Sequence, residues 1–179
     1  MAVIPYVAQT WTDGVSSASA ARMLVLENGI SEVSLAPAVR VYHNATQSIT
    51  TATETALSFN SERFDQVAGA ASTQHDTVTN NTRLTCRYAG VYHIIGNAGF
   101  SGNATGVRIY QIRLNGATEI ARAESTGSTA YNSVQTVATL YVLAVNDYVE
   151  LTVTQNSGGS LATLQAGNYS PEFMMVRVG

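Results

Sequence analysis

The sequence predicts an all-β protein, an antiparallel two-sheet sandwich of the jelly-roll or Greek-key type, preceded by an N-terminal arm and a short helix. Residues 38–179 form a series of short runs rich in Val, Ile, Thr, Tyr and Phe, separated by clusters of Gly, Asn, Asp and Ser. Short strands at this even spacing are typical of a two-sheet sandwich. No internal repeat is evident, which disfavours propellers and solenoids.

Composition indicates one hydrophobic core of ordinary size. The 179 residues are 45% hydrophobic and 12% charged, and the mean hydropathy is +0.05. The net charge is −3 and all nine basic residues are Arg, so the clustered basic face of a nucleic-acid-binding protein is not expected. The single cysteine, Cys86, cannot form an internal disulfide. No stretch resembles a membrane span or a signal peptide, so we expect a soluble protein that is not conventionally secreted.

The first 36 residues are predicted to form a separate unit, an arm followed by a neck helix. Residues 1–16 carry no sustained period, so we expect an arm that is ordered only against a partner. Residues 17–33 favour a helix, on which four apolar residues recur at 3-4-3 spacing: Met23, Leu26, Ile30 and Val33. This stripe fits either a helix that lies on its own domain or a short coiled-coil neck. Pro37 ends the helix, so the second domain covers residues 37–179.

The second domain contains the candidate strands. They cover residues 38–43, 56–59, 83–87, 91–100, 107–114, 118–124, 134–143, 148–154 and 172–178. Asn115-Gly116 predicts a type I′ hairpin, because both central residues of that turn need positive φ. The strand 148–154 alternates apolar and polar side chains, which predicts one core face and one wet face. Gly90 is predicted to occupy a conformation or a close approach that a side chain would disfavour.

The last strand is apolar on both faces. Met174, Val176 and Val178 point one way, and Phe173 and Met175 point the other way. A strand of this kind is buried on both sides, either between two sheets or at a contact between subunits.

Six segments follow one another in a recognisable order: His75-Asp76-Thr77, TRLTC at 82–86, YAGVYHI at 88–94, Leu114-Asn115-Gly116, VLAVNDYVEL at 142–151, and a terminal strand around Phe173. This order resembles the globular-head family shared by complement subcomponent q and tumour necrosis factor. Asn146 stands where that family has Gly. The resemblance implies a homotrimer of compact jelly rolls whose flat, apolar faces meet on a threefold axis. It makes Phe173 and Met175 candidates for the trimer axis and Met23, Leu26, Ile30 and Val33 candidates for a trimer neck.

The N-terminal segments 6–15, 19–23 and 26–30 resemble a leader found on structural proteins of tailed bacteriophages. Such a leader precedes a fibre, adhesin or decoration module. The resemblance implies that residues 1–36 dock the protein to a particle, with Tyr6, Trp11 and Asp13 as the anchoring residues.

The sequence offers little for catalysis or metal binding. Cys86, His93 and Asp76 could be a nucleophile, base and orienting group, but no thiol-enzyme signature surrounds them, and a buried structural cysteine is the commoner role. His43, His75 and His93 have no zinc-ligand spacing, and there is no calcium-loop motif. We therefore expect no enzymatic activity, no metal and no cofactor.

The combined expectation is a non-enzymatic, homotrimeric surface protein of a bacteriophage virion, assembled in the host cytoplasm. We favour a minor tail or tail-tip protein that binds the host. The alternative is a capsid decoration (head fibre) trimer, and a further alternative is a secreted lectin-like binding module. The expected partners are copies of itself, capsid or tail proteins that hold residues 1–36, and a host surface glycan or protein; neither nucleic acid nor a membrane span is expected.

Overall fold

The structure, a computed structural model, describes residues 36–67, 73–129 and 132–179. In these residues the chain forms twelve strands and no helix. The strands are β1 (Ala38–Tyr42), β2 (Ser48–Ile49), β3 (Thr55–Ala56), β4 (Ser61–Gln66), β5 (Arg83–Thr85), β6 (Gly90–Phe100), β7 (Asn103–Leu114), β8 (Thr118–Ser128), β9 (Ser133–Leu143), β10 (Tyr148–Gln155), β11 (Leu161–Ala162) and β12 (Glu172–Arg177). The predicted arm and neck lie outside the described residues, with Tyr6, Trp11, Asp13, Met23, Leu26, Ile30 and Val33.

Most of the strands form two antiparallel sheets that pack face to face. The front sheet has the order β4-β1-β12-β6-β9. The back sheet has the order β3-β10-β7-β8, and β5 also pairs with β10. β2 and β11 form a separate two-stranded ribbon. The prediction of an all-β jelly-roll sandwich is confirmed.

The last strand in the sequence, β12, is the middle strand of the front sheet. It lies between β1 and β6, so that Phe173 is opposite both Val41 and Gly96. Gly96 is required by a close approach, because a Cβ added there would lie 2.6 Å from Leu151 Cδ1 of the back sheet. The two sheets therefore approach each other closely beside β12.

The face of β12 that was predicted to lie on a trimer axis lies in the core. Phe173 and Met175 are 0% and 1% exposed in the core between the sheets, and Phe173 stacks on Phe59 with 5.8 Å between ring centroids. The assignment of Phe173 and Met175 to a trimer axis is corrected, because these side chains are enclosed within one protomer. Met174 and Val176 lie on the outward face.

The space between the sheets is filled by side chains from both. Val39 and Ile94 of the front sheet, and Ile112, Leu151 and Val153 of the back sheet, are fully buried. Burying a side chain of this size contributes about 1.5–3 kcal/mol. Hydrophobic burial between the sheets is therefore the main source of stability.

Most of the predicted strands are present, with ends that differ by a few residues. The prediction for 56–59 is the exception, because only β3 (Thr55–Ala56) pairs, and the chain then leaves the sheet while Leu57 and Phe59 remain buried. Strand β4 was not predicted because its sequence, SERFDQ, is polar, which suits a strand at the edge of a sheet.

Two turns that contribute to the sequence resemblance contact each other. Asn115 and Gly116 have φ of 52° and 69°, as the predicted type I′ hairpin requires. Asn115 Nδ2 donates to Asp147 Oδ1 at 2.9 Å, which connects the β7–β8 hairpin to the turn before β10. Asn146 in that turn has φ of 71°, a conformation that asparagine tolerates. Asparagine can therefore stand where the resembling family has glycine.

The polar face of β10 is buried, so the prediction of a wet face is wrong. Val149, Leu151 and Val153 face the core as predicted, but Glu150 and Thr152 on the other face are only 8% and 5% exposed. β10 is an interior strand of the back sheet, and side chains from the strands on either side cover it. Alternation identifies the two faces of a strand but does not show whether neighbours cover the polar one.

A buried carboxylate connects three strands of the front sheet. The Glu172 side chain, 1% exposed, accepts hydrogen bonds from Arg40 on β1 and from Arg63 on β4. Arg63 Nη2 lies 2.9 Å from Glu172 Oε1, and the same guanidinium stacks 3.9 Å from the centroid of the Tyr42 ring. Arg40 Nη2 also donates to Asn168 O at 2.7 Å. Each charge in this cluster has a partner, which is the condition for burying it.

Replacing Glu172 by Gln should lower the free energy of unfolding by about 2 kcal/mol, because two partly buried guanidiniums lose their counter-charge. Glu124→Gln is the matched control, since Glu124 pairs with Arg122 at the surface and its side chain is 50% exposed. That change should cost less than about 0.5 kcal/mol. Urea denaturation of both variants measures the difference, and equal losses would contradict this account.

Gly90→Val should destabilise the protein by well over ~1 kcal/mol, the average for a point change. A Cβ at this position would lie 2.3 Å from the Gly179 carbonyl oxygen, which itself accepts a hydrogen bond from Val91 N at 2.6 Å. The control is Gly159→Val, because nothing lies within 4 Å of a Cβ there. Thermal denaturation should separate the two variants, and an unchanged melting temperature for Gly90→Val would show that the close approach is unimportant.

Candidate functional site

The outward face of the front sheet is an exposed apolar surface. Leu140 and Val142 on β9 are 63% and 65% exposed, and Val178 beyond β12 is 57% exposed. We call the whole surface the front face: Val91, His93, Ile95, Val134, Ala138, Leu140, Val142, Met174, Val176 and Val178. A continuous apolar surface of this kind on a folded protein marks a site of association.

The register of the sheet makes the front face continuous across three strands. His93 on β6 lies between Leu140 on β9 and Val176 on β12. One pair further along, Ile95 lies between Ala138 and Met174 in the same way. Directly opposite residues on neighbouring strands have Cβ atoms about 5 Å apart, so their side chains touch. The front face is therefore one surface and not a set of isolated apolar side chains.

The front face has polar borders. Near one end of β6, Thr136 Oγ1 donates to Asn97 Oδ1 at 2.7 Å. On the side of β1 and β4, Arg40, Arg63 and Glu172 form the charged cluster described above. An apolar centre with a polar rim is the usual arrangement of a protein–protein interface.

The outward face of the back sheet is polar by contrast. Arg113 Nε and Nη2 both donate to the carboxylate of Glu54 at 2.7 Å, and Thr152 Oγ1 donates to the same carboxylate at 2.7 Å. The hydrogen bond from Arg113 lowers the pKa of Glu54, although partial burial acts in the opposite direction. This surface suits contact with water or a polar ligand, so the two sides of the sandwich are chemically different.

The three residues considered for catalysis are not brought together. Cys86 lies in the core, where Sγ donates to Tyr88 O at 3.1 Å and burial raises the pKa of the thiol. His93 is on the front face, and Asp76 is on an exposed loop where Oδ1 accepts from Val78 N and Thr79 N. These positions provide no nucleophile and base in contact.

The described histidines are also separate from one another. His43 Nδ1 lies 2.8 Å from Ala45 O on the surface, while His75 is buried with Nδ1 2.9 Å from Glu62 Oε1. In the described parts of the chain, no group of three or more His, Cys, Asp or Glu side chains is placed to hold a metal ion.

Within residues 36–67, 73–129 and 132–179, no helix has the length and apolar character needed to cross a bilayer.

No protein-family model and no curated protein matches this sequence. Solved structures do match, at low identity. The crystal structure of murine APRIL at pH 5.0 has a TM-score of 0.58 and 10% identity, covering 80% of this chain and 99% of that chain. The structure of Eiger TNF from S. frugiperda has a TM-score of 0.59 and 10% identity, covering 81% and 94% of the two chains.

The globular domain of zebrafish complement 1qA protein is similar to the same extent. Its TM-score is 0.58 and its identity is 17%, and the match covers 80% of this chain and 98% of that domain. These likenesses span almost the whole of each matched domain, and at such identities they show the fold alone. This chain has the jelly-roll fold of the tumour necrosis factor-like and complement 1q-like domains.

Proposed function

We propose that this protein is a non-enzymatic binding module that forms a homotrimer through its front face. The observation that carries the proposal is the continuous apolar surface over β9, β6 and β12, with Leu140 and Val142 about two-thirds exposed. The sequence resemblance to the complement q and tumour necrosis factor heads supports the number of copies, since it implies apolar faces that meet on a threefold axis.

Association of the front faces would remove this surface from water. Obligate interfaces resemble a protein core cut in half, with apolar centres that are buried in the assembly. His93 is the polar side chain within the surface, and a closed rotational arrangement would bring the three copies of it around one axis. A closed ring uses every copy of the face, so it leaves no apolar surface to recruit further subunits.

Light scattering of the purified protein at micromolar concentration should give the mass of three chains, and Leu140→Arg should shift it to one chain. The arginine would place a charge in the apolar centre of the interface without touching the core. Val78→Arg is the matched control, because Val78 is 84% exposed and lies on a loop outside the front face. Circular dichroism of each variant shows that the sandwich is folded.

A parent protein that is monomeric under these conditions would contradict self-association. Dissociation by both arginine variants, or by neither, would contradict the role of the front face.

We further propose that residues 1–36 attach the trimer to a bacteriophage particle. The leader resemblance in segments 6–15, 19–23 and 26–30 supports this placement. Pro37 O accepts from Arg177 N at 2.9 Å, so the head begins beside the end of β12. We favour the tail or tail tip, where the trimer would bind the host, and keep capsid decoration as the alternative.

Deleting residues 1–36 should leave a folded head that is not incorporated into particles. For the intact protein, a few or a few tens of copies per virion, together with inhibition of adsorption by added soluble protein, is the result expected for the tail. A copy number in the hundreds without inhibition of adsorption would replace the tail assignment by capsid decoration. Normal incorporation of the deletion variant would overturn the docking role of residues 1–36.

A further inference from the structure

A polar cleft of about 330 Å³ lies on the outward side of the back sheet. Its walls come from three places in the sequence: the loop with Gln74 and Asn80, strand β5 with Arg83, and the turn before β10 with Asn146. Arg87, just after β5, also lines it. Since Leu84 of β5 faces the core, Arg83 beside it points to the side opposite the front face.

Arg83 is held in position on the wall of the cleft. Its Nε donates to Glu150 Oε1 at 3.3 Å, and its guanidinium stacks 4.0 Å from the centroid of the Tyr148 ring. Thr82 Oγ1 donates to the same carboxylate oxygen at 2.7 Å, which fixes Glu150 in turn. The two terminal nitrogens of Arg83 have no acceptor among the described residues. A guanidinium fixed through Nε and by stacking is preorganised to bind a planar oxyanion with its free edge.

Arg87 provides a second cation without a carboxylate partner. Its Nε donates to Thr73 O at 2.6 Å, a neutral acceptor. Among the described residues no Asp or Glu forms an ion pair with it. Asp76, also in the lining, has Oδ1 turned to its own loop, where it accepts from Val78 N at 2.8 Å. Among the described residues, the charge of Arg87 is therefore not offset by an ion pair, whereas that of Arg83 is paired with Glu150.

Gln74 gives the cleft an unused hydrogen-bond acceptor. It is 0% exposed, and its Nε2 donates to Asp65 Oδ1 at 3.4 Å and to Gln66 O at 3.3 Å. These two acceptors fix the orientation of the amide and leave Oε1 buried with no partner. A buried acceptor without a donor is costly, so a group that donates to it from the cleft is favoured.

We propose that this cleft binds a sugar acid, a ligand whose carboxylate lies against Arg83 and Arg87 and whose hydroxyl groups donate to Gln74 Oε1. A neutral sugar would leave the guanidinium of Arg87 without an anion. A fully ionised phosphate would bring a second negative charge towards an acceptor oxygen. A hydroxylated carboxylate satisfies both the guanidiniums and the unpaired acceptor, and a small ligand of this kind fits a site of this volume.

The proposal does not depend on the oligomeric state or on the attachment to a particle. The front face and the cleft are on opposite sides of the sandwich, so burial of the front face leaves the cleft open. A monomeric protein that binds the sugar acid would uphold this proposal and overturn the homotrimer. A trimer that does not bind the sugar acid would overturn this proposal and uphold the homotrimer.

The test is a titration of the full-length, 15N-labelled protein with glucuronate, followed by amide chemical shifts. Glucose serves as the neutral sugar, acetate as the carboxylate without hydroxyl groups, and inorganic phosphate as the competing anion. Glucuronate should bind with a dissociation constant on the order of millimolar and shift the amides of Asn80, Arg87 and Asn146. Glucose and acetate should bind at least about tenfold more weakly, because glucose lacks the carboxylate and acetate lacks the hydroxyl groups.

Arg87→Gln should weaken the binding of glucuronate by about tenfold, through loss of a charge-assisted hydrogen bond. Arg83→Gln should weaken binding to the same extent. This variant also loses the contact with Glu150 and could be less stable, in which case Arg87→Gln alone provides the test. Arg122→Gln is the matched control, since Arg122 is exposed on β8 outside the cleft. Its affinity for glucuronate should equal that of the parent.

Absence of glucuronate binding at tens of millimolar would overturn the proposal. Equal affinities for glucose and glucuronate would show that the arginines do not recognise the carboxylate. Tighter binding of phosphate would identify the ligand as a phosphate and not a sugar acid. An unchanged affinity in both cleft variants would place the ligand elsewhere.

Discussion

The insertion of β12 between β1 and β6 is the constraint on which the rest of the structure depends. This strand supplies hydrogen bonds to both neighbours, and its alternate side chains serve two surfaces at once. Phe173 and Met175 complete the core, while Met174 and Val176 join the front face. A shift of one residue in its register would exchange the two sets. Phe173 would then lie in water, and Glu172 would be moved away from Arg40 and Arg63. The core, the front face and the ion pairs are therefore consequences of one strand register.

The two sides of the sandwich divide the chemistry of the protein between them. The front sheet offers an apolar face with no Asp, Glu or Arg at its centre, and the back sheet carries fixed ion pairs such as Arg113–Glu54 and a cleft with Arg83. Apolar surface gains from being removed from water, whereas surface charges that are already hydrated gain little from a dry contact. Self-association through the front sheet and ligand binding through the back sheet can thus occur without competing for the same surface.

Much of the fold could be predicted from the sequence, because turn residues and strand periodicity are local signals. The Asn115-Gly116 hairpin is the clearest case, and its observed φ angles match the prediction. The sites could not be predicted in the same way. On β9, the outward residues Leu140 and Val142 are as apolar as the inward residues Val137 and Leu143, so periodicity does not indicate which set faces the core. Only the packing of the sheets decides between them, and the same ambiguity led to the wrong placement of Phe173 and Met175 on a trimer axis.

Strand β4 has a further consequence for how copies of this protein can behave at high density. As the edge of the front sheet it has backbone groups that could pair with a strand of another molecule. It carries Glu62, Arg63 and Asp65, and its register against β1 is interrupted by an irregularity at Arg40/Val41. Charge and irregularity make this edge a poor template for continuing the sheet. Growth of the sheet from this edge into β-fibrils is therefore disfavoured, even where copies of the protein are crowded together.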